Sequence, residues 1–161
     1  MITLTPTDDQ IKYAKDLSAS LGNIKNSVMK GSRNYSGFIG EKVIADLLDC
    51  EHKSTKDYDL VLKDGTTVDC KTYTSKYKPK ETYMCNIMEA SLHQRCDAYV
   101  FTNFNPEQNL VYVCGYIPKK DFFEKADYVK KGDKSPVNGV QYKSNGYNLA
   151  IKELYPIEDL L

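Results

Sequence analysis

The sequence has two histidines, His52 and His93, and none of its five cysteines belongs to a Cys-x-x-Cys pair. That excludes a structural zinc site of the usual spacing, a histidine-rich metal centre and a disulfide framework, and makes reduced cysteines in a cytoplasmic protein the simple account. A Gly-rich phosphate loop ending in Lys-Ser/Thr is also missing, which argues against NTP hydrolysis. No apolar run approaches membrane-spanning length, and the N-terminal residues lack a signal-peptide pattern, so no membrane partner is expected. Net charge is absent too. The 22 basic and 22 acidic residues cancel, leaving no global signal for nucleic acid. There is no internal repeat and no low-complexity linker.

What is present is an ordinary globular composition, 41% hydrophobic and 27% charged over 161 residues, enough for one domain with its own core. Thr5-Pro6-Thr7-Asp8-Asp9-Gln10 reads as a helix start, followed by Ile11, Ala14, Leu17 and Leu21 at helical spacing, with Gly22 as the stop. Residues 22–34 read as a polar loop and 75–82 as a lysine-rich connection. Met84, Ile87, Met88 and Leu92 predict an amphipathic crossover helix. Strands are expected over 98–104 and 110–117, and a helix from Pro118. From Asp127 the tail reads as irregular until an edge strand over 147–151. The sum is an α/β sandwich with a mixed central sheet flanked by helices.

The most informative stretch runs from Asp57 to Lys71. Two apolar-rich runs flank Lys63-Asp64-Gly65, which is hairpin chemistry. A two-residue Asp64-Gly65 loop places Asp59 opposite Cys70. A three-residue loop with glycine in the left-handed position pairs Leu62 with Thr66, so Asp59 faces Asp69 and Asp57 faces Lys71. Opposed like charges destabilise a sheet. The second register is therefore expected only where a cation sits between the carboxylates, which points to a divalent metal. Strand alternation sends the Cys70 side chain into the core as a small hydrophobe, not a nucleophile.

Upstream, residues 36–49 form a helix whose polar arc holds Lys42, Asp46 and Asp49. Glu41 falls outside that arc, projecting between Ala45 and Leu48. A carboxylate there either snorkels to water, pairs with a cation, or binds metal, because burial without a partner is costly.

Glu41, Asp59 and Asp69-Cys70-Lys71 occur in the order of the PD-(D/E)XK nuclease superfamily, the restriction-endonuclease-like fold, which the stretch resembles. Gly37-Phe38-Ile39-Gly40-Glu41 is similar to the helix opening of its stand-alone phage and resolvase-type members. Tyr58 stands where the pattern often has proline. The resemblance covers about residues 35–117, with the N-terminal helix and the C-terminal helix and strand as extensions of one domain spanning 1–161. It implies a Mg²⁺-dependent phosphodiesterase, an endodeoxyribonuclease, with Mn²⁺ as substitute. Asp59, Asp69 and the Cys70 backbone carbonyl would be metal ligands, and Glu41 would act through water or a second ion. Lys71 would position the attacking water. The partner implied is DNA, with a homodimer admitted, in the cytoplasm of a microbe or of a phage-infected host cell.

Arg33 and Asn34 before the helix, and Lys76, Lys78 and Lys80 after the catalytic strand, are candidates for the phosphate backbone. A solvated lysine loop accounts for them equally well. Lys119, Lys120, Lys130, Lys131 and Lys134 read as surface. In some relatives a Gln near position 94 approaches the site, but His93-Gln94 read here as a plain helix-end pair. An RNase H-like carboxylate cluster would leave Lys71 without a role. The different-class alternative is a non-catalytic DNA- or protein-binding module, an inhibitor or assembly factor, that keeps the nuclease fold.

Overall fold

The computed structural model describes residues 1–21 and 32–161, without the side chains of residues 32–34. In chain order its main elements are β1 (Ile2–Leu4), α1 (Asp8–Leu21), α2 (Ser32–Leu47), β2 (Glu51–His52), β3 (Leu60–Val61) and β4 (Thr67–Thr74). They continue with β5 (Met84–Met88), β6 (Ala98–Asn105), β7 (Leu110–Pro118), α3 (Lys119–Lys125), β8 (Asp127–Val129) and β9 (Gly146–Ala150).

Local chemistry explains several boundaries. Thr7 and Gln10 form a capping box at the start of α1. The Gln10 N–H donates to Thr7 Oγ1 at 3.2 Å, and the Thr7 N–H donates to Gln10 Oε1 at 2.9 Å. The expected stop at Gly22 lies outside the described residues, as does most of the loop expected over 22–34. Ser32, Arg33 and Asn34 belong instead to the opening of α2, four residues before the expected start at Ser36. That helix closes on Asp49, held at φ 47°, with the Cys50 N–H reaching the Ala45 carbonyl at 3.0 Å and the Asp49 N–H reaching Asp46 at 3.3 Å. Those two bonds are the Schellman pattern, which satisfies carbonyls that a helix end leaves unpaired.

The main sheet has the order β1-β7-β6-β4-β3-β2, with β4 and β6 parallel and the other neighbours antiparallel. The protein is thus mixed α/β with a mixed sheet, as expected. Parallel neighbours need a long crossover, and here that crossover is not the amphipathic helix expected over Met84–Leu92. It carries β5 and a single 3-10 turn, Glu89–Ser91. The period at this point is two: Cys85 and Ile87 are buried while Asn86 and Met88 face outward. Cys85 pairs with Leu149 and Ile87 with Tyr147, so β9 is the central strand of a second sheet, β5-β9-β8, not an edge strand after an irregular tail.

The two faces of the main sheet carry separate cores. Ile39, Ile44, Leu60, Val68, Val100 and Val111 pack with Cys70 beneath α2. On the other face Tyr99, Phe101 and Ile117 pack against Phe122 of α3 and against Cys85, Ile87 and Leu149 of the second sheet. Helices therefore cover one face of the main sheet, whereas a sheet and one short helix cover the other.

Candidate functional site

The hairpin adopts the three-residue loop. Leu60 pairs with Val68 and Val61 with Thr67, the Leu62 N–H donates to the Thr66 carbonyl at 2.9 Å, and Gly65 sits at φ 90°. Counting on from this register sets Asp59 across from Asp69. The ladder does not continue through that pair. The Asp59 N–H donates to Val68 O at 2.9 Å, and Asp59 Oδ2 accepts the Cys70 N–H at 2.8 Å, so a side chain replaces a rung. Asp57 does not meet Lys71; its Oδ1 accepts from the Arg95 N–H at 3.3 Å.

Asp59 and Asp69 are both buried. Burial first, then the charge of Glu41 and that of Asp69, push the Asp59 carboxyl up to about 8. Asp69 is raised as well, by burial, against the opposing pull of Lys71, Gln94 and Lys119. Asp59 therefore has carboxylates around it and Asp69 has cations.

On β4, Asp69 and Lys71 share a face by alternation, and Lys71 Nζ lies 2.6 Å from Asp69 Oδ2. The contact is a close ion pair. The Tyr99 hydroxyl, on the residue paired with Asp69 across the β4–β6 ladder, is buried and has no hydrogen-bond partner among the described residues. Gln94 ties the pair together. Its Nε2 donates to Asp69 Oδ1 at 2.8 Å, and its Oε1 accepts from Lys71 Nζ at 3.1 Å. The Lys119 ammonium in turn holds the Gln94 backbone carbonyl. Gln94 is thus no plain helix-end residue, and Lys119 is no ordinary surface lysine. Neither role shows in local sequence, since both contacts join segments 23 or more residues apart.

Glu41 is buried, 8% exposed, and lies close enough to Asp59 to raise it. Its main partner is one that sequence reasoning missed. His52 Nε2 is 2.7 Å from Glu41 Oε2, and His52 Nδ1 is 2.7 Å from the Tyr13 hydroxyl. A chain of polar contacts thus runs from α1 through β2 to α2. Burial holds the Cys70 thiol well above its ordinary pKa, consistent with a packing role.

Three of the five expected phosphate-contacting residues have described side chains. Side chains of Arg33 and Asn34 lie outside the described residues. Lys76, Lys78 and Lys80 are exposed, Lys76 with its ammonium 5.2 Å from the Tyr77 ring centroid. Among the described residues no group of three His, Cys, Asp or Glu side chains is arranged to hold a metal ion. Nor is any described helix long and apolar enough to cross a membrane. No protein-family model matches the chain, and no curated protein matches it.

Proposed function

We propose that the chain is a metal-dependent nuclease of the PD-(D/E)XK, restriction-endonuclease-like kind, hydrolysing phosphodiester bonds in DNA. The observation that carries the reading is the Asp69–Lys71 pair on one face of β4, bridged by Gln94 and next to a second buried aspartate. A purely structural role does not account for two neighbouring buried aspartates, of which only Asp69 has an ion-pair partner among the described residues, since buried acids are costly unless paired.

The donor set suits Mg²⁺ or Mn²⁺, which take hard oxygen ligands and need only one or two protein carboxylates beside water and phosphate. Asp59 and Asp69, with the Cys70 carbonyl, would hold the ion. Glu41, engaged by His52 and close enough to Asp59 to raise it, would act through water or a second ion. The bound ion would supply Lewis acidity and lower the pKa of water. Lys71 supplies a fixed positive charge beside Asp69, where it orients the attacking water and stabilises negative charge gathering on the phosphorus oxygens. Gln94 keeps the Lys71 ammonium in place, and Lys119 keeps Gln94 in place.

Incubation of supercoiled plasmid with Mg²⁺ tests the reading. The parent protein should nick it and Asp69→Ala should not. Retention of plasmid without any Mg²⁺-dependent nicking would replace the nuclease with a DNA-binding module of the same fold.

A further inference from the structure

β2 is two residues long, yet it and the residues just beyond it reach both Glu41 and Asp59. The backbone takes Asp59. His52 pairs with Leu60, and the Lys53 and Ser54 N–H groups both donate to the Asp59 carbonyl, at 2.7 and 3.1 Å. The His52 side chain, 6% exposed, takes Glu41, with Nε2 lying 2.7 Å from Glu41 Oε2. One short strand thus fixes the positions of two carboxylates that come from different elements.

The imidazole contact has a direction. A carboxylate oxygen only accepts, so Nε2 carries the ring proton. In the neutral ring Nδ1 then accepts from the Tyr13 hydroxyl, 2.7 Å away. The Tyr13 ring also meets the imidazole edge-on, with 5.6 Å between centroids. The consequence is an asymmetric carboxylate. Oε2 is taken, whereas none of the hydrogen bonds among the described residues falls on Oε1. The preceding turn leaves room there, because position 37 is a glycine and an added Cβ would stand 3.7 Å from Oε1.

Left alone, the two acids would not settle in this way. The Glu41 charge adds to burial in raising the Asp59 carboxyl, so the two repel. A carboxylate free to rotate would turn from a buried neighbour of like charge, and His52 holds Glu41 beside it.

We propose that His52, backed by Tyr13, is a positioning residue that fixes Glu41 with Oε1 free to take a second ion or its water beside Asp59. The proposal rests on the nuclease reading for the identity of that ion. A residue that orients a metal ligand tunes metal affinity without touching the ion.

The test is calorimetric Mn²⁺ titration, beside thermal melts and the Mg²⁺ dependence of plasmid nicking. His52→Ala should weaken Mn²⁺ binding roughly tenfold, and nicking should need correspondingly more Mg²⁺. His52→Gln, whose amide N–H can still donate to Glu41, should recover part of that affinity. Tyr13→Phe keeps the edge contact and removes only the hydroxyl of a residue 38% exposed. It should weaken Mn²⁺ about threefold at an unchanged Tm. In a Glu41→Gln background His52→Ala should add nothing further, because its effect runs through the carboxylate. A merely structural His52 would lower Tm and leave every variant with the parent's Mn²⁺ affinity, a result that overturns the inference. So does a His52→Ala loss that persists in the Glu41→Gln background. A parent that binds Mn²⁺ without nicking discards the nuclease reading alone, since the titration still ranks the variants. A parent that nicks while the variants keep its affinity discards this inference alone, and one that binds no Mn²⁺ overturns both.

Discussion

Gly40 of α2 lies so close to Thr72 of β4 that a Cβ at position 40 would sit 2.0 Å from Thr72 Oγ1. The helix carrying Glu41 and the strand carrying Asp69 and Lys71 come closest at a residue with no side chain. Thr72 Oγ1 is itself fixed by a 2.9 Å hydrogen bond from the Thr102 hydroxyl, and a second contact of 2.8 Å to that hydroxyl awaits any added Cβ.

Gly40→Ala should therefore push α2 off the sheet and cost about 1–3 kcal/mol, the range for overpacking a tight contact. Thr72→Ala in the same chain should recover part of that loss, because the nearest clashing atom is gone. Urea denaturation of the two single variants and the double variant gives the coupling. Additive losses would mean that the contact does not position the helix.

Asp59 gives stability a pH signature. Its folded pKa, about 8, lies above the 3.8 of an unperturbed carboxyl. The native state thus holds a proton that the unfolded chain has already released in the window between. The Asp59 contribution is fully present below the unfolded value and is lost as pH rises through the folded one. Asp59→Asn, whose amide oxygen still accepts from the Cys70 N–H, should raise Tm at pH 8 in chelator and change it little near pH 4. Thermal melts across that range check the sign, and an unchanged Tm at pH 8 contradicts it.

His52 supports Glu41 and Tyr13 together. Replacing it by Ala leaves the buried Glu41 carboxylate without that partner, while the exposed Tyr13 hydroxyl can turn to water. The expected loss is about 1–3 kcal/mol, the cost of an unsatisfied buried group. His52→Gln, able to reach only some of those partners, should fall between. Chemical denaturation ranks the three proteins.

For the proposed chemistry, Asp69→Ala and Lys71→Ala should each remove most cleavage but differ in metal binding. Losing Asp69 takes away a carboxylate ligand, so Mn²⁺ affinity should collapse with turnover. Losing Lys71 removes a cation 2.6 Å from that carboxylate, so Mn²⁺ should bind as well or more tightly while kcat falls more than KM rises. Gln94→Leu should resemble Lys71→Ala in a milder form, with about tenfold slower single-turnover cleavage, the size of effect a lost positioning bond produces. Calorimetric Mn²⁺ titration beside single-turnover cleavage separates these cases.

Elements encoded by neighbouring residues were legible in the sequence. Lys63-Asp64-Gly65 sets its hairpin register because only Gly65 takes the positive φ that a three-residue loop requires. Thr7 and Gln10 cap α1 across three residues, and Cys70 is buried by simple alternation. What escaped depends on distant partners. Met84, Ile87 and Met88 sit at spacings that suit a helix, but Leu149 and Tyr147, some 60 residues later, supply a strand to pair with. His52 and Gln94 look isolated because their contacts lie across the fold, and the carboxylates at 59 and 69 say nothing about which ammonium or amide will meet them.

The main sheet ends in β1 on one side and β2 on the other, three and two residues long. An approaching strand from another molecule would find at most three rungs of ladder there before the chain turns away. Short edge strands are one way natural sheets avoid edge-to-edge growth. Two copies joined along these borders would gain little hydrogen bonding. Association of copies along these two borders would therefore draw on side-chain surface and not on an extended common sheet.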